Sequence, residues 1–142
     1  MCNRYHSPDK GYIKQYWRLN PRQLGLVARD VFSRSAGGFI RRAVDDSGYS
    51  KELAVGRWGL IPVFSKTPDI KYSTNNARAE EVADKASFKD PWKRGQRCII
   101  PATTFDEPNW ESGKNVWWRF ARVDSDPWGL AGRWIVEVFT GH

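Results

Sequence analysis

The chain has 142 residues, of which 40% are hydrophobic, so it can bury one core and we predict a single domain over residues 1–142. It contains neither a long apolar run nor the apolar segment of a secretory signal, which argues against a membrane span or export and predicts a cytoplasmic protein. The two cysteines and two histidines lack the spacing of metal ligands, so we expect no disulfide, metal or cofactor.

The charge of the chain indicates the class of its partner. The formal net charge is +7 and the pI is near 9.6, a balance that a polyphosphate partner requires and a small acidic substrate does not. Eight Trp, seven Phe and five Tyr supply rings that can stack on unpaired bases, although most of them must belong to the core. We therefore expect nucleic acid as the partner.

The first predicted element is a helix near the N-terminus. Ser7 can cap it, Pro8 suits its first turn, and the side chains of Tyr12, Ile13, Tyr16 and Trp17 fall on one face. The pair Asn20-Pro21 ends this helix. A strand is predicted next, over residues 24–31.

The rest of the chain is predicted to be rich in strands. Asp45-Asp46-Ser47-Gly48 form a turn between strands at residues 39–44 and 51–58, which predicts a hairpin. Residues 78–85 favour a helix, and Phe88 and Trp92, spaced i, i+4, favour a second short helical turn. This order predicts an α+β domain with a curved, barrel-like antiparallel β-sheet and a few short helices. Its remaining strands are predicted at residues 97–101, 105–110, 115–123 and 129–139.

Cys2 follows the initiator methionine, and this position gives it a distinctive chemistry. A small penultimate side chain permits removal of Met1, which leaves a free α-amine and a thiol on adjacent carbons. Such a 1,2-aminothiol condenses with an aldehyde through an imine and closes to a thiazolidine ring. Both groups supply some nucleophile near neutral pH. Taken alone, Cys2 is a small residue at a chain terminus.

Three further stretches carry groups suited to chemistry on nucleic acid. Phe64 ends a proline-constrained bend and can stack on a base, although core packing is the simpler interpretation. Asn76 can orient a carbonyl and Arg78 can hold a phosphate, while the simpler interpretation is a helix cap and a surface arginine. Glu107, beside Asp106, follows an apolar strand, and a partly buried glutamate can move protons during imine chemistry.

In this order, the stretches resemble the SOS-response-associated peptidase (SRAP) family over most of the chain. The resemblance implies that Met1 is removed, that single-stranded DNA is bound, and that the N-terminal cysteine reacts with the ring-opened aldehyde of an abasic site. The implied product is a stable thiazolidine crosslink that shields the lesion. The matching segments are Met1-Cys2, Arg4-Tyr5, Trp58-Gly59-Leu60-Ile61-Pro62, Asn76-Ala77-Arg78-Ala79-Glu80, Arg97-Cys98-Ile99-Ile100-Pro101-Ala102, Phe105, Glu107, Leu130-Ala131-Gly132 and Trp134.

The resemblance assigns roles residue by residue. Cys2 is implied to be the nucleophile, Asn76 the amide that positions the N-terminus or the opened sugar, and Glu107 the proton shuttle. The implied partner is single-stranded DNA with abasic sites, bound by a nucleoid-associated protein for which we favour a monomer. The residues implied to contact DNA are Arg4, Arg78 and Phe64.

The sequence departs from the family pattern in places. Asn3 stands where the family usually has Gly, Thr103-Thr104 where it has Asp-Gly, and Pro108 where Trp often follows the glutamate. The family also continues into a segment whose histidine assists ring opening and crosslink reversal. Neither His6 nor His142 matches that histidine, so we expect the domain to lack this segment.

Two alternatives stay open at this point. The first is a basic single-stranded-DNA-binding remnant of the family, in which stacking and phosphate contacts survive without catalysis. The second is a hydrolase that uses the N-terminal cysteine on an amide substrate, which requires an oxyanion hole.

Overall fold

The computed structural model describes residues 2–19, 26–44 and 48–136. Within these ranges the chain forms eight short strands and two short helices, and no helix is long and apolar enough to cross a membrane. The elements, in chain order, are β1 (Arg4–His6), α1 (Lys10–Tyr16), β2 (Asp30–Phe32), β3 (Ala36–Arg42), β4 (Lys51–Arg57), α2 (Lys89–Lys93), β5 (Arg97–Ala102), β6 (Thr104–Asn109), β7 (Val116–Ala121) and β8 (Trp128–Arg133).

The strands form two antiparallel sheets of four strands each. One has the order β2-β1-β6-β7 and the other β4-β3-β5-β8. The predicted α+β class is therefore confirmed. The prediction of a single barrel-like sheet is too strong, because the described strands form two open sheets and neither closes on itself.

The chain passes from one sheet to the other between β5 and β6, where a single residue, Thr103, separates the two strands. The backbone N–H of Thr103 donates to the carbonyl of His6 at 2.7 Å, and its hydroxyl donates to the same oxygen at 3.0 Å. This corner fixes β6 beside β1, with Arg4 opposite Asp106 in the register. The N-terminal strand therefore lies beside the segment of β6 that contains Asp106 and Glu107.

Two groups of buried apolar side chains stabilise the sheets. Ile13 of α1 packs with Ile40 and Leu53, so the helix covers the face of the β3–β4 hairpin. Each such side chain contributes roughly 1.5–3 kcal/mol when fully buried. The second group surrounds Tyr5 and also contains Val31, Ala102 and, partly buried, Cys2, Trp58, Ile100, Phe105, Trp128 and Leu130.

A close approach at Gly37 holds Tyr5 in this second group. A Cβ atom at Gly37 would lie 2.4 Å from the Tyr5 hydroxyl oxygen and 3.1 Å from Cγ1 of Val31. Only glycine leaves room for the ring at this point. Tyr5 also meets Trp58 edge to face, with centroids 5.0 Å apart.

Three details of the first predicted helix differ from the structure. The cap of α1 is Asp9, whose side chain accepts from the N–H of Tyr12 at 3.0 Å, while Ser7 is buried and donates to the carbonyl of Pro8. Pro8 therefore precedes the helix instead of lying in its first turn. The helix ends at Tyr16, before the predicted end at residues 20–21, and that pair lies outside the described residues.

Residues 78–85 form successive turns and no α-helix. The N–H of Glu81 bonds to the carbonyl of Arg78, and that of Asp84 to Glu81, both at 3.1 Å and both with i, i+3 spacing. The second helical turn is confirmed as α2, where the N–H of Trp92 bonds to the carbonyl of Phe88 at 3.1 Å.

Most strand predictions are confirmed, with ends that differ by up to three residues. The hairpin is formed by β3 and β4, although its turn residues 45–47 lie outside the described ranges, and β5, β6 and β7 match their predicted segments. The strand predicted at residues 24–31 is wrong over residues 26–29, because β2 begins only at Asp30. The last predicted strand is β8, which ends at Arg133, and residues 137–139 are not described.

Candidate active site around Cys2

Cys2 lies directly before β1, half-buried against the Tyr5 group. Its thiol is free and donates to the carbonyl of Arg4 at 3.3 Å. It packs against the group that contains Val31 of β2 and Ala102 of β5, so residues from both sheets surround it. The N-terminal end of the chain is thus anchored to the folded core.

Two neighbouring side-chain amides hold the backbone of Cys2. The Nδ2 of Asn76 donates to the Cys2 carbonyl oxygen at 2.7 Å, and the Nδ2 of Asn75 donates to the same oxygen at 3.0 Å. Asn75 also lies 3.4 Å from the side-chain oxygen of Asn3. Asn75 was not predicted as a site residue, and the adjacent Asn-Asn pair was the signal that could have indicated it.

The loop that carries these amides is itself fixed. The indole N–H of Trp58 donates to the carbonyl of Asn75 at 2.9 Å, and the hydroxyl of Thr74 donates to the carbonyl of Leu60 at 2.6 Å. The hydroxyl of Ser73 donates to the side-chain oxygen of Asn75, which orients its amide toward Cys2. Trp58 therefore positions the loop and also packs in the core.

A cavity of about 280 Å³ opens beside the thiol. It brings together the three predicted catalytic residues Cys2, Asn76 and Glu107, although they lie far apart in the sequence. Its other walls are aromatic and aliphatic, so a bound group would be partly removed from water. These walls are Tyr5, Trp58, Ile100, Phe105, Leu130 and Ala131, and the amide of Asn75 also borders the cavity.

The surroundings keep the Cys2 thiol protonated. Burial raises the pKa of the thiol above its ordinary value, and the negative charge of Glu107 raises it further, while hydrogen bonds with the backbone of Arg4 and Asp106 oppose the rise. Burial disfavours the thiolate because a charged group loses water. At neutral pH the group at the cavity wall is a thiol.

Arg4 is engaged in ion pairs on the other side of β1. It pairs with Asp30 at 2.7 Å, and its Nε lies 3.9 Å from Asp106. Asp106 is buried and also accepts two hydrogen bonds from Arg119, at 2.9 and 3.1 Å. The hydrogen bond from Arg119 lowers the pKa of Asp106, and the one from Arg4 lowers the pKa of Asp30. This cluster joins β1 to both of its neighbouring strands.

Arg4, Phe64 and Arg78, the predicted DNA-binding residues, do not line the cavity beside Cys2. Phe64 has 58% of its surface exposed, in a turn closed by a 2.8 Å bond from the N–H of Ser65 to the carbonyl of Pro62. Arg78 is exposed two residues after Asn76. Phe64 therefore presents an exposed ring a few residues after Trp58, and Arg78 presents an exposed guanidinium two residues after Asn76; both Trp58 and Asn76 line the cavity.

The sequence profile of the family described as SOS response associated peptidase (SRAP) matches residues 1–139. The chain belongs to the SRAP family. The match therefore extends over the segments that contribute Cys2, the amide pair and Glu107 to the cavity. It confirms the family to which those motifs pointed.

The curated relatives that the chain matches are longer than this chain. The abasic site processing protein YoaM of Bacillus subtilis is 43% identical over 65 residues, which is 46% of this chain and 28% of that protein. The abasic site processing protein HMCES of Xenopus tropicalis is 38% identical over 66 residues, or 44% of this chain and 20% of that protein. The matched region thus spans less than a third of either relative.

Two crystal structures share the fold. A protein from Bordetella bronchiseptica superposes with a TM-score of 0.80 at 37% identity, covering 94% of this chain and 64% of that one. A protein from Bacteroides thetaiotaomicron superposes with a TM-score of 0.69 at 20% identity, covering 92% and 58% of the two chains. The SRAP fold of the described residues is therefore shared with proteins that are half as long again.

Proposed function

We propose that this SRAP-family chain binds single-stranded DNA and forms a covalent thiazolidine crosslink between Cys2, once Met1 is removed, and the ring-opened aldehyde of an abasic site. The observation that carries the proposal is the meeting of Cys2, Asn76 and Glu107 at one cavity. The names of the relatives from Bacillus and Xenopus, both abasic site processing proteins, support the same substrate.

The chemistry of the ring sets the order of the steps, because the thiol closes the ring by adding to a C=N bond that the amine must form first. The α-amine of Cys2 attacks the aldehyde carbon first, and loss of water gives an imine. The thiol then adds across the C=N bond, forming the S–C bond of the ring, and the thiol proton is transferred to the nitrogen. Glu107, at the same cavity, is suited to carry the protons that leave and return in both steps.

Asn75 and Asn76 serve this reaction by positioning Cys2. Both donate to the carbonyl of Cys2 itself, so they restrain the backbone from which the amine and the thiol project. Holding two reacting groups in place converts a loose encounter into a fast intramolecular step. Neither amide is directed at an external substrate, which counts against the hydrolase alternative.

The exposed groups beside the cavity supply DNA binding. Phe64 is suited to stack on a base next to the abasic gap, and Arg78 to contact a phosphate. Arg4 contributes less than Arg78 in this scheme, because Asp30 and Asp106 already offset its charge.

The test is incubation of the protein with single-stranded DNA containing an abasic site, followed by a denaturing gel. We expect a heat-stable adduct with the wild type and none with Cys2→Ala. Cys2→Ser keeps the amine but not the thiol, so it should give an adduct only when the imine is reduced with borohydride. An adduct that persists in Cys2→Ala would overturn the proposal.

Intact mass must accompany this test, since a retained Met1 blocks the amine. A processed protein that binds intact and abasic strands equally and never crosslinks would support the non-catalytic DNA-binding alternative instead.

A further inference from the structure

Two arginines with the same charge face each other across β5 and β8. Arg97 and Arg133 are partners in the antiparallel register, and like charges directly opposite one another destabilise a sheet. Both guanidinium groups lie over the ring of Trp92, with their central carbons 5.7 and 4.4 Å from its centroid. The fold therefore holds two positive groups at one aromatic ring.

Within the part of the chain that the structure describes, no carboxylate forms an ion pair with either arginine; Asp90, on the same helix as Trp92, pairs with Arg94 at 3.1 Å. The Nε of Arg133 is buried without an acceptor, while its Nη1 donates to the carbonyl of Gly132 at 3.2 Å. Burial and then the charge of Arg97 lower the pKa of Arg133. This unbalanced charge weakens the sheet, and because Arg97 is exposed, one of the two guanidinium groups is open to an anion from solvent.

The arginine pair lies along the same strand as the Cys2 cavity. Ala131 lines that cavity, and Arg133 follows it by two residues, about 7 Å farther along β8 at the usual rise per residue. Arg133 also lines a larger cavity of about 860 Å³, which shares Trp58, Asn75 and Asn76 with the Cys2 cavity. The two cavities therefore adjoin, and Arg133 borders the space next to the one that would take the abasic sugar.

We propose that Arg97 and Arg133 form a phosphate site for the DNA strand that carries the abasic sugar. The inference rests on the proposed function and adds a phosphate contact to the one proposed for Arg78. A guanidinium binds phosphate oxygens through paired N–H groups, and stacking on Trp92 fixes the orientation of that fork. A phosphate between the two arginines would relieve their mutual repulsion.

The test compares Arg133→Gln and Arg97→Gln with Arg94→Gln, a control that removes the same charge from a neighbouring ion pair. Affinity for a single-stranded oligonucleotide with one abasic site is measured over a range of salt, using protein with Cys2→Ser so that binding stays reversible. Losing one phosphate contact should reduce the slope of log Kobs against log salt by about 0.7. Arg94→Gln should leave the slope unchanged.

Thermal denaturation without DNA gives an independent readout. Arg133→Gln should raise Tm by about 2–4 °C, because it removes the repulsion from Arg97. Weaker DNA binding together with higher stability indicates a ligand site. Lower stability with unchanged DNA binding indicates a structural role and overturns the inference. Arg133→Lys, which keeps the charge, should retain the salt slope and lose part of the affinity.

Inorganic phosphate distinguishes a DNA site from a site for the free ion. If phosphate raises the Tm of the wild type but not of Arg133→Gln, and the oligonucleotide slope is the same in both proteins, the site serves the free ion and the inference is wrong. Failure of the proposed function is separate: the wild type would form no adduct, whatever the arginine variants do. An intact adduct with equal slopes in all variants would overturn this inference alone.

Discussion

The two amides on the carbonyl of Cys2 make a quantitative prediction about crosslinking. Asn76 donates at 2.7 Å and Asn75 at 3.0 Å, so removing either one leaves the other in place. A hydrogen bond of this kind contributes about 1 kcal/mol net, which corresponds to about a fivefold loss in the time that Cys2 spends positioned for reaction. Asn76→Ala and Asn75→Ala should each slow crosslinking by about fivefold.

The double variant should lose more than the product of the single losses. Two independent bonds would predict a loss of about 30-fold, but the double variant leaves a half-buried carbonyl without either amide donor. That state costs up to about 3 kcal/mol, so we expect a loss on the order of 100-fold.

The assay is single-turnover crosslinking with the protein in excess over abasic DNA, quantified on denaturing gels. Asn115→Ala, an exposed substitution in the turn before β7, is the matched control. Intact mass and Tm of each variant separate lost positioning from lost processing or folding. Normal rates in the double variant would refute the positioning role, and strictly multiplicative losses would refute the shared acceptor.

Three further predictions concern charge. Glu107→Gln should lower the pKa of the Cys2 thiol, because the Glu107 carboxylate raises it; the pH profile of iodoacetamide alkylation should move toward lower pH, and a profile that does not move would contradict this electrostatic coupling. Asp106→Asn should destabilise the fold by about 1–2 kcal/mol, since Asp106 is buried but Arg119 is half exposed. Because the pKa of Asp106 is lowered, its ionised form stabilises the fold at pH values above the ordinary aspartate pKa of about 4, and this stability is lost as the pH falls through the lowered pKa. In urea titrations, the difference in stability between the wild type and Asp106→Asn should therefore shrink in acid. A stability difference that grows in acid would contradict the lowered pKa of Asp106. Arg78→Ala should weaken DNA binding equally for all base sequences, and a sequence-selective loss in fluorescence anisotropy would argue against a phosphate contact.

The sequence predicted which residues line the cavity better than it predicted how the fold brings them together. Cys2, Asn76 and Glu107 each have chemistry that local context suggests, and the order of motifs linked them. Their meeting at one cavity depends on antiparallel pairing of β1 with β6, which no local pattern encodes. The roles predicted for these residues stay predictions until the crosslinking assay is done.

Contacts that depend on strand register were out of reach from the sequence. Arg97 and Arg133 are far apart in the chain and become neighbours only because β5 and β8 pair. Arg4 likewise reads as a free surface cation until Asp30 and Asp106 are placed beside it. The composition of residues 78–85 favours a helix, but an isolated helix of that length gains too few hydrogen bonds to offset nucleation, so turns form instead.

The one-residue corner at Thr103 fixes which carboxylate faces the Cys2 cavity. Adjacent side chains on a strand point to opposite faces, and here Asp106 meets Arg119 while Glu107 lines the Cys2 cavity. Because no spare residue separates β5 from β6, inserting or deleting a single residue there would exchange the two faces. Asp106 would then enter the cavity and Glu107 would take the place beside the arginines. The corner can tolerate a change of side chain, but a change of length would place a different acid beside Cys2.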